Sequence, residues 1–269
     1  MMGNNVLHEP HISLRGLCKY FEDGCVKTPA FENLTLSVNE GEFVAILGPS
    51  GCGKSTLLRI IAGLESSSIG ELSFSGLKVG TGNTGSLDKN IAMVFQEHGL
   101  FPWLTLSGNI SFILENNVAI PKSKVADITQ KYLAIVGLTD YADFYPHQAS
   151  GGMKQRVSIA RSFANNPDIL LMDEPFVFLD FQSRLLIHEL LLTIWQENKK
   201  TILFVTHDIE EAVILADRII VLSAHPGRII ADEANDFERP RDMLSIRKTP
   251  EFSAKVDHLI SLIRQDIVL

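Results

Sequence analysis

Apolar positions repeat with two periods along this chain, and the changes of period mark its organisation. Phe31, Leu34, Leu36 and Val38 fall mostly on one alternating face and end at the turn signal Asn39-Glu40-Gly41, which predicts a half-buried strand. Glu42–Leu47 is a compact apolar run entering Gly48, the pattern of a buried strand. Lys54–Ala62 then takes up helical spacing through Leu57, Leu58 and Ile61. Glu71–Phe74 followed by the Gly/Ser/Thr/Asn-rich stretch 80–86 predicts a hairpin or a solvent-facing turn, and Ile91–Phe95 another short strand.

From residue 97 to 164 the strand runs vanish. Leu106–Leu114, Lys124–Val136 and Met153–Ala164 all read as helices, as an inserted helical lobe should. Strands return at Ile169–Met172, Ile202–Val205 and Ile219–Leu222, separated by helices near Asp180–Glu197 and Ile209–Ala216. Strands alternating with helices imply parallel βαβ units. The tail predicts a strand at Arg228–Ala231 and an amphipathic helix whose apolar face holds Phe252, Val256, Leu259, Ile260 and Ile263. The expected fold is α/β with a mainly parallel core sheet, an antiparallel β subdomain near the N-terminus and the helical insertion. The expected division is 1–96 with 165–224 as the core, 97–164 as the helical subdomain and 225–269 as a C-terminal extension.

Composition narrows the partners. The 269 residues are 45% hydrophobic and 21% charged with net charge −8, ordinary for a globular chain and unlike the basic stripe of a nucleic-acid binder. Cys18, Cys25 and Cys52 form no CxxC pair and no metal spacing with the eight histidines, so reduced thiols are expected. No secretory signal is visible and no stretch reaches the ~18 apolar residues of a membrane span.

Chemistry enters at Gly48-Pro49-Ser50-Gly51-Cys52-Gly53-Lys54-Ser55-Thr56, which fits G-x-x-x-x-G-K-[ST] between an apolar strand and a periodic helix. Glycines let backbone N–H groups turn inward around phosphate oxygens, and the helix N-terminus adds partial positive charge. Lys54 is expected on the β- and γ-phosphates and the Ser55 hydroxyl on Mg²⁺. Because Cys52 sits inside this motif, its alkylation is expected to inhibit, with ATP protecting. The apolar run Ile169–Met172 delivers Asp173 and Glu174 at its end. Neighbours on a strand point to opposite sides, which suits Asp173 for Mg²⁺, held through water, and Glu174 for polarising an attacking water.

Ala149-Ser150-Gly151-Gly152-Met153-Lys154-Gln155-Arg156 is similar to the LSGGQ signature of the ABC ATPases. With the motifs above, the resemblance covers nearly the whole chain. It implies that Ser150, Gly151 and Gly152 contact the γ-phosphate of ATP bound to an opposite subunit, a second copy of this chain or a homologous ATPase. It also implies that Gln96 senses Mg²⁺ and the permease, that His207 is the switch histidine on the γ-phosphate, and that Asp180 belongs to the loop crossing the dimer interface. Phe21 resembles the aromatic that stacks on adenine, although Tyr20 could take that place. The sequence departs from the family at Ala149 and Met153 in the signature, and at the bulky Phe176-Val177-Phe178 before Leu179-Asp180.

Phe95–Thr105, with Leu100, Pro102 and Trp103 after Gln96, resembles the branch serving nitrate, sulfonate and taurine importers, as do His225-Pro226-Gly227-Arg228-Ile229 and Glu238-Arg239-Pro240-Arg241-Asp242. The resemblance implies an ATP- and Mg²⁺-dependent subunit on the cytoplasmic face of a membrane, beneath a separate permease fed by a solute-binding protein, with no nucleic-acid partner. A soluble ABC ATPase with a mechanical role is the alternative. A GTPase is disfavoured, since no N-K-x-D motif is present.

Overall fold

The computed structural model describes residues 9–24, 26–79 and 90–267; Cys25 and the stretch 80–86 lie outside them. The chain opens with β1 (Ile12–Asp23) and β2 (Val26–Val38), long antiparallel partners, and then β3 (Phe43–Leu47), which enters the glycine-rich turn before α1 (Lys54–Ile61). A hairpin of β4 (Ile69–Phe74) and β5 (Leu77–Val79) precedes β6 (Ile91–Val94). Three helices follow without a strand between them: α2 (Leu106–Glu115), α3 (Lys122–Ile135) and α4 (Gly151–Ala164). The chain then alternates through β7 (Ile169–Asp173), α5 (Phe181–Asn198), β8 (Thr201–Val205), α6 (Ile209–Leu215) and β9 (Arg218–Leu222). It finishes with β10 (Ile229–Ala234), α7 (Met243–Ile246) and α8 (Pro250–Ile267).

The strands form two sheets. One is antiparallel, in the order β2-β1-β4-β5; the other runs β10-β9-β3-β8-β7-β6, parallel except for β10 at its edge. β3 shows why its sequence lacks alternation. Phe43, Ala45 and Leu47 enter the core shared with the helical lobe, while Val44 and Ile46 enter the core beneath the antiparallel sheet. Both faces are buried, so every position is apolar. β7 and β8 are likewise buried throughout. Among the described residues no helix is long and apolar enough to cross a membrane.

β1 was not expected from the sequence. Register shifts at Leu14/Leu17, Leu17/Lys19 and Lys19/Tyr20 interrupt its alternation, as bulges do.

Candidate functional site

A cavity of about 380 Å³ opens where α1 begins, within the usual size of a small-molecule pocket. The glycine-rich loop Gly48–Thr56, the P-loop, forms its floor: Ser50, Gly51, Gly53, Lys54, Ser55 and Thr56 line it. The glycine at position 53 is required twice over. Its φ is +90°, and a Cβ there would stand 2.9 Å from the Phe31 ring and 3.0 Å from Ala30 O. Lys54 is buried and its Nζ donates to Gly48 O at 2.7 Å and Pro49 O at 2.9 Å. Gly48 and Pro49 thus hold the lysine rather than line the cavity.

Two carboxylates face this floor from the end of β7. Asp173 Oδ1 accepts from Ser55 Oγ at 2.7 Å; burial pushes its carboxyl above the usual range, against the lowering effect of the Ser55 hydrogen bond. Glu174 lines the cavity, and its Oε1 lies 3.9 Å from Lys54 Nζ. The two acids diverge for a reason other than strand alternation. Asp173 is the last residue of β7, whereas Glu174 leaves the strand at φ +43°, a left-handed conformation that costs a non-glycine residue about 1–3 kcal/mol and clusters at functional sites. Its N–H donates to Val205 O at 2.9 Å, which ties it to the end of β8. Beyond that end, His207 Nδ1 sits 3.0 Å from Glu174 Oε2.

Behind this pair lies a small cavity of about 60 Å³ between Glu174, Val177, Thr206 and His207. Buried Thr206 donates from Oγ1 to Glu211 Oε2 at 2.7 Å and accepts from Asp208 N–H at 3.0 Å, fixing the backbone on both sides of His207. Glu211 Oε1 turns to α5, 3.5 Å from His188 Nε2 and 3.7 Å from Arg184 Nε. Arg184 donates to Asp208 Oδ2 at 3.2 Å and to Leu179 O at 3.4 Å. The cluster joins the His207 turn to the loop after Glu174. Thr206, Arg184, His188 and Glu211 had no sequence signal beyond being single polar residues.

The remaining expected residues divide. Gln96, two residues beyond the end of β6, lines the cavity. So does Phe21, whereas Tyr20 turns away with its hydroxyl 3.3 Å from Glu32 Oε1; alternation along β1 selects Phe21. Thr28, Ala30 and His225 also line the cavity. None was expected there, although His225-Pro226-Gly227 stood out as a motif. Cys52 does not face it: its side chain is wholly buried in the core under the antiparallel sheet, and burial pushes its thiol up. This corrects the expectation of an accessible, ATP-protected thiol.

Ser150, Gly151, Gly152 and Asp180 lie outside the cavity of their own chain. Ser150 Oγ caps α4 by accepting from Met153 N–H at 3.2 Å, and Asp180 Oδ1 caps α5 by accepting from Ser183 N–H at 3.0 Å. A Cβ on Gly152 would meet Ser183 Oγ at 3.1 Å, so the two helix starts adjoin. Ala149 and Met153 pack half-buried on the main core. Phe176 is buried against His188 and Phe204, with ring centroids 4.6 and 5.6 Å away, while Phe178 is 64% exposed.

Comparison with known proteins fits this geometry. The family model described as ABC transporter matches residues 31–177. An uncharacterized ABC transporter ATP-binding protein of Methanocaldococcus jannaschii is 45% identical over 96% of this chain and 92% of its own. The nitrate import ATP-binding protein NrtD of Synechocystis is 42% identical over 94% and 95% of the two chains, and the aliphatic sulfonates import ATP-binding protein SsuB of Bacillus cereus 41% over 87% and 90%. The dimeric ATP-binding cassette MJ0796, solved with ADP and Pi, superposes with a TM-score of 0.73 at 34% identity, covering 84% of this chain and all of that one. The chain belongs to the ABC transporter family, as one of its ATP-hydrolysing subunits.

Proposed function

We propose that this chain energises an importer: two copies, or this chain and a homologous ATPase, close on ATP beneath a separate permease, and hydrolysis resets the permease. One observation carries the reading. The P-loop and Glu174 line one cavity, Asp173 is bonded to Ser55 on its floor and His207 stands behind Glu174 at 3.0 Å, while Ser150–Gly152 stand away from it, leaving the other side of a nucleotide to an opposite subunit. The names of relatives importing nitrate and aliphatic sulfonates support a small anion as solute, such as nitrate, a sulfonate or taurine, delivered by a solute-binding protein. The subunit then sits on the cytoplasmic face of the membrane. Its working units are 1–96 with 165–224, 97–164 and 225–269.

The donors fit Mg²⁺. The Ser55 hydroxyl and the Asp173 carboxylate stand 2.7 Å apart with Gln96 near the same floor, and all offer hard oxygens. Among the described residues no cluster of three or more His, Cys, Asp or Glu could hold a metal, which suits an ion held by one or two protein groups and the substrate's phosphates. When bound, Mg²⁺ neutralises charge on the phosphate oxygens.

Phe21 stacks on adenine, and the P-loop N–H groups with Lys54 hold the phosphates. Glu174 takes a proton from water as the water oxygen bonds to the γ-phosphorus and the bridging bond to ADP breaks. His207 holds Glu174 and contacts the γ-phosphate. Positioning and charge do most of the work. Glu174→Gln is expected to lower turnover by roughly 10²–10⁴-fold while ATP still binds and a dimer accumulates. Near-normal hydrolysis in that variant refutes the assignment.

On the helical lobe, Trp103 is 70% exposed, with its ring 5.5 Å from that of Phe101. We assign this aromatic surface, together with Leu100, to a short permease helix docking in a groove.

A further inference from the structure

The turn between β9 and β10 takes no part in the phosphate chemistry, yet His225 within it forms a wall of the nucleotide cavity beside Phe21, Thr28 and Ala30. This turn is fastened on three sides. Gly227 N–H donates to Ala30 O at 3.0 Å and Gly227 O accepts from Glu32 N–H at 3.0 Å, a parallel bridge to β2 at Phe31. Gly227 also lies directly on the phosphate cradle: a Cβ there would stand 2.1 Å from Cys52 O, so only glycine permits the contact. Within the turn, Ser223 Oγ donates to Pro226 O and accepts from Arg228 N–H, both at 2.8 Å. Arg228 pairs with Glu32 at 2.6 Å.

The third fastening comes from the far end of the chain. Ala224 N–H, immediately before His225, donates to the carboxylate of Asp266 in the last turn of α8. That helix is itself seated, with Phe252 and Leu259 buried and with Lys255 Nζ and His258 Nε2 on Glu233 of β10 at 2.5 and 2.6 Å.

An exposed imidazole on a turn bonded to β2, resting on the P-loop and tied to α8 is preorganised, so little ordering entropy opposes its use on a ligand. Its ring offers an N–H to a nucleotide oxygen, a bond that Phe21 and Ala30 on the same wall have no side-chain group to make. We propose that His225 is a nucleotide-contacting residue, donating to an oxygen of the bound nucleoside triphosphate, and that the Asp266–Ala224 bond makes its position depend on α8 being docked. The proposal rests on reading the cavity as the ATP site. It gives the C-terminal helix a route to nucleotide affinity.

The test uses the full chain, with ADP titrated calorimetrically and the KM and kcat for Mg-ATP measured. His225→Ala is expected to raise the Kd and KM by about 5–10-fold, the value of one ordinary hydrogen bond, with a smaller fall in kcat. His225→Gln, which keeps an N–H donor, recovers part of the loss. Asp266→Ala, remote from the cavity, raises the KM by roughly 3-fold through the loosened turn. Asp266→Asn, whose Oδ1 still accepts from Ala224 N–H, restores it. A folded His225→Ala variant within 2-fold of wild type in Kd and KM overturns the contact. An Asp266→Ala variant that loses melting temperature with an unchanged KM overturns the coupling to α8. Lys54→Ala separates this from the underlying reading: if wild type and Lys54→Ala bind ADP equally poorly, the cavity is not the nucleotide site.

Discussion

Thr206→Val tests whether the cluster behind His207 serves chemistry or only folding. Valine keeps the shape of threonine, so no cavity opens, but the hydroxyl goes. Thr206 Oγ1 is buried between Glu211 Oε2 at 2.7 Å and Asp208 N–H at 3.0 Å. Losing a hydrogen bond to a carboxylate costs about 1.5–3 kcal/mol and the backbone bond about 0.5–1.5 kcal/mol, together about 2–4 kcal/mol. A domain stable by about 5–15 kcal/mol survives this, with melting lowered by roughly 5–10 °C. The functional effect comes from His207, which lies between the two residues that lose their anchor and whose Nδ1 sits 3.0 Å from Glu174 Oε2. A shift of about 1 Å in such a pair costs on the order of 10²-fold in rate. The assay is steady-state ATP hydrolysis beside ADP affinity and thermal melting. A kcat lowered at least about ten-fold with ADP affinity intact is expected, since Lys54 and the P-loop are untouched. A variant that melts earlier yet keeps the wild-type kcat refutes the reasoning and leaves the cluster a structural one.

Peptide-resolved alkylation with iodoacetamide is expected to leave Cys52 unlabelled in the native protein and label it fully on denaturation, because the thiol is wholly buried and its burial disfavours the reactive thiolate; native labelling that ATP suppresses would contradict this. Trp103→Ala is expected to weaken co-purification with the permease about ten-fold or more, as for a central aromatic anchor, without changing the melting temperature of a residue so exposed. Unchanged assembly and transport would count against the docking surface.

Much of this was legible in the sequence because the informative features repeat or occupy fixed spacing. β3, β7 and β8 are continuous apolar runs since both their faces are buried, and Gly53 stands where only glycine tolerates φ +90° and the approach of Phe31. What escaped has equally physical causes. The register of β1 against β2 shifts three times, so its apolar residues lose their period. α7 has four residues, too few for helical periodicity to show. Cys52 belongs to the motif through its backbone while the turn sends its side chain into the core, a direction that motif spacing does not encode. The left-handed backbone of Glu174 is set by the neighbouring strand through Val205 O. His188 and Glu211 meet only once α5 and α6 are packed, and neither stands out alone.

The bulky loop after Glu174 shows how a departure from the family pattern is absorbed. Phe176-Val177-Phe178 stands where small residues are usual, but its three side chains go to different places. Phe176 closes the core over His188 and Phe204, within the set of contacts that holds the His207 turn. Val177 lines the small cavity behind Glu174. Only Phe178, with Phe181 one turn on, adds apolar surface at the rim, 64% and 62% exposed. Asp180 lies between them in the sequence, and its partner Ser183 adjoins the start of α4 at Gly152, on the face proposed for an opposite subunit. None of the three larger side chains lines the cavity at the start of α1. Phe176 and Val177 pack behind Glu174 and Phe178 widens the exposed surface, so in the proposed dimer the departure bears on subunit contact more than on the cavity.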